Sequence, residues 1–185
     1  MLPNLIRELS VNVKNMDIVF GSDGEILSDY LLEDDNSFNS DDENYEEEFN
    51  DTLREIKENY VDAKLIQNGD RPYIQNMADE DWEELGRDIS NNTHLATVCL
   101  YDGALNDQKM SFFFRELTRS SSIENMALYR NELSTAAVQS MVPFLQNASN
   151  LRELTLDYNN IQSEGFNMIF RALCDSPMEV LNCNQ

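Results

Sequence analysis

The sequence predicts an α/β chain built by repetition, in which strand–turn–helix units of about 28 residues follow an acidic N-terminal arm. Three observations predict it. Five columns of the chain recur at one fixed spacing. A second set of columns, spaced as on one helix face, recurs with the same period. The negative charge is concentrated ahead of the regular units.

The clearest unit begins at NLRELTLDYNN, residues 150–160. Leu151, Leu154, Leu156, Asn159 and Ile161 define its columns. One period earlier stand Ile123, Met126, Leu128, Asn131 and Leu133. Two periods earlier stand Leu95, Val98, Leu100, Gly103 and Leu105. A forward shift, shorter than the period by a single position, gives Met178, Leu181 and Cys183. The second half of each unit repeats as Trp82, Met110, Val138 and Phe166; as Leu85, Phe113, Met141 and Ile169; and as Ile89, Leu117, Leu145 and Leu173. Steps of three and then four positions place each trio on one helix face. Each unit therefore reads as a short strand, a turn and a helix of about ten residues.

Residues 1–45 read as a weakly ordered acidic arm. Ile18-Val19-Phe20 and Ile26-Leu27 flank a Gly-Ser-Asp-Gly turn and could pair as a hairpin, but two strands alone are marginal in water. The run from 33 to 51 is acidic and poor in apolar residues, so repulsion should keep it solvated. It reads as a solubilising linker, with an acidic interaction tail anchored by Phe38, Tyr45 and Phe49 as the alternative. Asp34, Asn36, Asp41 and Asp42 lack the glycine and distal glutamate of a calcium loop.

Residues 46–94 read as a degenerate capping unit. Phe49, Leu53 and Ile56 share one face of a helix over 46–60, and Ala63–Gln67 suits a first strand. Asn68–Met77 reads as a loop. A helix follows over Asp79–Ile89, with Asp79 or Asp81 as N-cap and acidic residues in its first turn. End units of stacked repeats are often atypical. Residues 95–185 hold the regular units: 95–122, 123–150, 151–177, and a fourth that begins at Met178 and stops before its helix. The last full unit is thus expected to expose an apolar face. The chain is expected to be a fragment, or its gene model incomplete, rather than covered there by another chain.

From about Asp62 to Gln185 the chain resembles leucine-rich-repeat proteins of the ribonuclease-inhibitor-like class. ADEDWEELGRDISNNTHLATVCL resembles an entry repeat of this kind, and NLRELTLDYNNIQSEGFNMIFRALCDSP an interior one. The resemblance implies a curved α/β leucine-rich-repeat solenoid, with parallel strands on the concave face and helices on the convex face. Asn131 and Asn159 should then turn inward and bond backbone groups left unpaired where the strand bends.

The residues between the apolar columns should face the concave surface. They are Thr97, Cys99, Tyr101 and Asp102; Asn125, Ala127, Tyr129 and Arg130; Glu153, Thr155, Asp157 and Tyr158; and Val180, Asn182 and Asn184. Tyr101 and Tyr129 share a column, with Tyr158 one column over beside Asp157. Tyr and Arg are favoured interface anchors, although Tyr is also common in strands for β-propensity alone. The partner-binding set is Tyr101, Asp102, Tyr129, Arg130, Glu153, Thr155, Asp157 and Tyr158.

Charge narrows the partner. The net charge is −22, and residues 1–90 carry −18 of it, from 25 acidic and 7 basic side chains. Nucleic acid and anionic membrane would be repelled. No apolar run is long enough to span a membrane, and the start lacks a signal-peptide centre. Cys99, Cys174 and Cys183 form no metal spacing and fit reduced thiols in the cytoplasm or nucleus. Asn50, Asn91 and Asn147 begin sequons that are idle without a secretory signal. His94 reads as a surface turn residue, and Cys99, expected to be exposed, has no activating base nearby. No catalytic, cofactor-binding or metal-binding residues are assigned.

The expected function is a non-enzymatic protein–protein interaction module or scaffold that binds through the concave strand face. One alternative is a GTPase-activating protein, because one such group shares this fold class; Arg130 would be its charge-stabilising residue. The other is a binder of basic proteins through residues 33–51.

Overall fold

The computed structural model describes residues 17–19, 42–69, 71–102 and 105–183. The apolar columns found in the sequence are buried there. Leu95, Val98, Leu100, Ile123, Met126, Leu128, Leu151, Leu154, Leu156 and Ile161 are each no more than 2% exposed. Burying one such side chain is worth about 1.5–3 kcal/mol, so the repeat is also the core.

The strands are β1 Asp17–Val19, β2 Leu65–Asn68, β3 Thr97–Tyr101, β4 Asn125–Ala127, β5 Glu153–Thr155 and β6 Val180–Asn182. Among the described residues they form one sheet in the order β1-β6-β5-β4-β3-β2, and every pairing is parallel. The register follows the period. Leu65 lies beside Val98, Val98 beside Met126, Met126 beside Leu154, and Leu154 beside Leu181.

Among the described residues six helices complete the units: α1 Asp42–Lys57, α2 Pro72–Gln75, α3 Asp79–Asn91, α4 Asp107–Leu117, α5 Thr135–Asn147 and α6 Ser163–Ala172. Parallel strands sit about 4.8 Å apart, whereas packed helices need about 8–10 Å. A stack with strands on one side and helices on the other must therefore bend toward its strands. Gly86 in α3 permits the closest helix approach, because a Cβ there would collide with the Phe113 carbonyl oxygen of α4.

Helix starts are set by short polar side chains. Asn106 caps α4 by accepting the Lys109 N–H at 3.0 Å. Ser134 caps α5 by accepting the Ala136 N–H at 3.1 Å. At α3 the cap position is Ala78, not Asp79 or Asp81 as expected. Asp81 instead reaches back, and its carboxylate accepts the Ala78 N–H at 2.7 Å. From the third helical position it satisfies the cap residue's own N–H, a different donor from the one a forward cap would serve.

Three further expectations change. Helix α1 begins at Asp42, inside the run read as solvated. Phe49 and Ile56 are buried at 3% and 1% exposure, and this apolar face holds the helix while the carboxylates stay outside. The loop expected over Asn68–Met77 contains the short helix α2, which Pro72 opens. Proline suits a first helical position because the N–H it lacks has no partner there. Finally, the expected exposed apolar end is not found. Phe170 is 2% exposed and Leu181 is fully buried, and β1 pairs in parallel along β6, with Ile18 beside Leu181. Ile18 and Val19 of the expected hairpin's first limb thus lie in the main sheet, while Phe20 lies outside the described residues. The hairpin's second limb, Ile26-Leu27, lies outside the described residues, as do most of the acidic arm, Gly103 and Asn184. Among the described residues no helix is long and apolar enough to cross a membrane.

Candidate functional site

The strand face carries three rows of side chains set by the register. One row holds Thr97, Asn125, Glu153 and Val180. The middle row holds Ile66, Cys99, Ala127, Thr155 and Asn182. The third begins with Tyr101 and continues, one period apart, through Tyr129 and Asp157.

The middle row corrects the expectation of an open face. Cys99, Ala127 and Thr155 are 1%, 3% and 5% exposed. Their small side chains lie between the longer residues of the two flanking rows. Thr155 is therefore not a surface contact; its hydroxyl accepts from Asn182 Nδ2 at 3.1 Å. Glu153 is half-buried across the middle row from the tyrosines. Burial, and then Glu179, push its carboxyl up.

The remaining residues of the expected set come together at the ends of the strands. The Tyr101 and Tyr129 rings stack with centroids 5.2 Å apart and planes 3° from parallel. A fixed period over strands in register gives the rings this geometry. The next position in each unit is left-handed: Asp102, Arg130 and Tyr158 have φ of 60°, 53° and 55°. Each such residue costs about 1–2 kcal/mol relative to right-handed backbone. The Arg130 N–H still donates to the Asp157 carbonyl at 2.9 Å, so the turn continues the strand pairing. The side chains, however, swing out to the rim. Arg130 Nη1 lies 3.7 Å from Asp102 Oδ1, and its guanidinium lies 5.6 Å from the Tyr158 ring centre. Tyr158 is 53% exposed.

The result is a ridge of stacked rings ending in an acid, a base and an exposed tyrosine. It suits contact better than covalent chemistry. The Tyr129 phenol is pushed up by burial, then by Cys99, Tyr101 and Asp102, so it stays protonated at neutral pH. Burial pushes the Cys99 and Cys183 thiols up to about 12, so neither offers a thiolate. Among the described residues no group of His, Cys, Asp and Glu is arranged to hold a metal.

The interior asparagines do what the pattern implies. Asn159 Nδ2 donates to the Leu128 carbonyl at 2.6 Å and the Leu156 carbonyl at 3.0 Å, and its Oδ1 accepts the Leu133 N–H at 3.2 Å. Asn131 Nδ2 donates to the Leu100 carbonyl at 2.9 Å. Sequence reasoning missed the left-handed column, because Arg130 and Tyr158 are not residue types that favour it. It also missed a groove on the helix side between α1, α2 and α3, with a volume of about 580 Å³.

No known protein family matches the sequence, and no curated protein matches it. Solved structures similar in fold include these two. One is leiomodin-1 actin-binding site 2, with a TM-score of 0.60 and 16% identity over 73% of this chain and 78% of that one. The other is the tropomodulin C-terminal domain of Caenorhabditis elegans, with a TM-score of 0.55 and 12% identity over 78% of this chain and 83% of that one. At such identities the likeness is one of fold: a leucine-rich-repeat-like stack of parallel strands backed by helices.

Proposed function

We propose that this chain is a non-enzymatic interaction module, with repeats of the ribonuclease-inhibitor-like class, that binds a protein partner through the ridge at the ends of its strands. The observation that carries the reading is the stacked Tyr101–Tyr129 pair continued by Arg130 against Tyr158. Tyrosine and arginine are enriched among the few residues that carry most of the binding energy at interfaces. The protonated state of Cys99 and Cys183 supports a role in binding rather than covalent catalysis. A net charge of −22 supports a protein partner over nucleic acid or anionic membrane.

Actin is the first partner to test, because one structure of similar fold is described as an actin-binding site. The experiment is co-sedimentation with filaments and calorimetry with monomeric actin, using the full chain. An interface centred on the ridge predicts that Tyr129→Ala with Tyr158→Ala weakens binding by about 30-fold or more, the effect of losing about 2 kcal/mol. Binding that survives this double substitution, in protein that melts like the parent, would place the interface elsewhere. If actin does not bind, the same pair of substitutions applies to whatever partner cross-links to the chain.

A further inference from the structure

The groove between α1, α2 and α3 lies on the helix side, away from the tyrosine ridge. Its floor is apolar. Phe49 from α1 stacks on Tyr73 from α2, with centroids 5.2 Å apart. Leu53, Tyr73 and Met77 are only partly buried where they line it, and Leu85 closes the base. The regular units pack helix against helix and bury their apolar faces; here α2 is a single turn, and a groove is left between the described helices. A volume of about 580 Å³ is within the range of pockets that enclose a ligand or an anchoring side chain.

The rim is acidic. The two cations lining the groove are already matched: Lys57 Nζ lies 2.7 Å from Glu84 Oε1, and Arg54 Nη2 lies 2.8 Å from Asp51 Oδ1. Glu46 and Asp88, on opposite walls, have no ion pair among the described residues. Burial pushes the Asp88 carboxyl up, against the opposing pull of Lys57, and Glu84 adds to the rise.

We propose that this groove docks a short basic amphipathic segment of a partner protein, with one apolar side chain seated on Leu53, Tyr73 and Met77 and lysine or arginine side chains facing Glu46 and Asp88. Charge complementarity chooses the occupant. An acidic segment would meet Glu46, Asp88 and the carboxylates along α1, while an uncharged one would leave them unpaired. Leu53 and Met77 are flexible enough to accept more than one apolar anchor. This interface is separate from the strand-end ridge, so either can hold without the other.

The test uses the full chain and two fluorescein-labelled helical peptides of matched length, one of Lys and Leu and one of Glu and Leu. Anisotropy should show saturable binding of the basic peptide alone. Glu46→Lys with Asp88→Lys should weaken it by about 10-fold or more, and Met77→Gln by about 5-fold, while Met77→Leu stays within about twofold. With ¹³C-methyl methionine, the Met77 signal should shift during titration while those of buried Met110 and Met126 stay still. Four results overturn the proposal: no saturable binding; loss in the charge variants with Met77→Gln unchanged, which is diffuse attraction; a still Met77 signal, as when a segment of the same chain fills the groove; or equal weakening by Tyr158→Ala, which places the peptide on the ridge.

Discussion

Asn159 and Asn131 hold equivalent positions, yet the structure predicts different costs for removing them. In Asn159→Ala, the Leu128 and Leu156 carbonyls and the Leu133 N–H all lose their side-chain partner, at 2.6 Å, 3.0 Å and 3.2 Å in the parent. A stranded backbone group costs about 1–3 kcal/mol, and the low end applies here because Asn159 is partly exposed and water can reach it. Three groups at about 1 kcal/mol each give about 3 kcal/mol. Asn131 differs at its oxygen. Its Nδ2 serves the Leu100 carbonyl at 2.9 Å, but its buried Oδ1 has no partner among the described residues. Asn131→Ala strands one carbonyl while removing an oxygen that is itself desolvated without compensation. The two effects oppose, so the net cost is about 1 kcal/mol or less. Urea denaturation followed by circular dichroism, with unchanged m-values as the condition for comparison, measures both. Thermal melts should fall by about 6–12 °C for Asn159→Ala and by about 4 °C or less for Asn131→Ala. Equal costs for the two variants would refute this account of the asparagine positions, as would an Asn159→Ala protein within about 0.5 kcal/mol of the parent, the scale of an ordinary surface change.

Two further outcomes follow from packing and pairing. Gly86→Ala should destabilise by about 1–3 kcal/mol, because its Cβ would drive α3 away from the Phe113 carbonyl; a neutral or stabilising effect in the same urea assay would show that the helices have slack there. The Val180 N–H and the Asn182 carbonyl both bond the β5 side of β6, so by parallel alternation the Leu181 amide faces β1. Deleting residues 1–19 should therefore speed hydrogen exchange at Leu181 by about 10-fold or more while leaving Leu154 in β5 protected; unchanged exchange at Leu181 would mean that β1 does not hold that edge.

The repeat was legible because stacking converts a period in the chain into a position in space. Val98, Met126, Leu154 and Leu181 recur in sequence and meet as register partners in the sheet. The same logic placed Tyr101 beside Tyr129, and the aligned strands bring their rings to 5.2 Å. The degenerate first unit was harder to read. The shared face of Phe49, Leu53 and Ile56 predicts its helix over 46–60, but repulsion in the acidic run argues against the earlier start at Asp42. Asp81 was recognised as a helix-start residue but given the wrong atom to serve, since composition cannot say whether a carboxylate caps forward or reaches back.

Local spacing was enough to establish the columns and the strand–turn–helix unit, because each depends only on period and on which side chains avoid water. The stacked α/β layers and the inward turn of Asn131 and Asn159 came from the resemblance to leucine-rich repeats. Spacing could not reach the features that depend on bending and on distant segments. The flanking rows bury Cys99 and Thr155 on a face that alternation alone would leave open. The left-handed turn lifts Arg130 and Tyr158 to the rim. Strand β1 crosses to the edge of β6, so that Asp17 pairs with Val180 from opposite ends of the described chain. Such contacts are chosen by which edge and which surface remain uncovered once the repeats have stacked, and that is a property of the assembled stack rather than of any stretch within it.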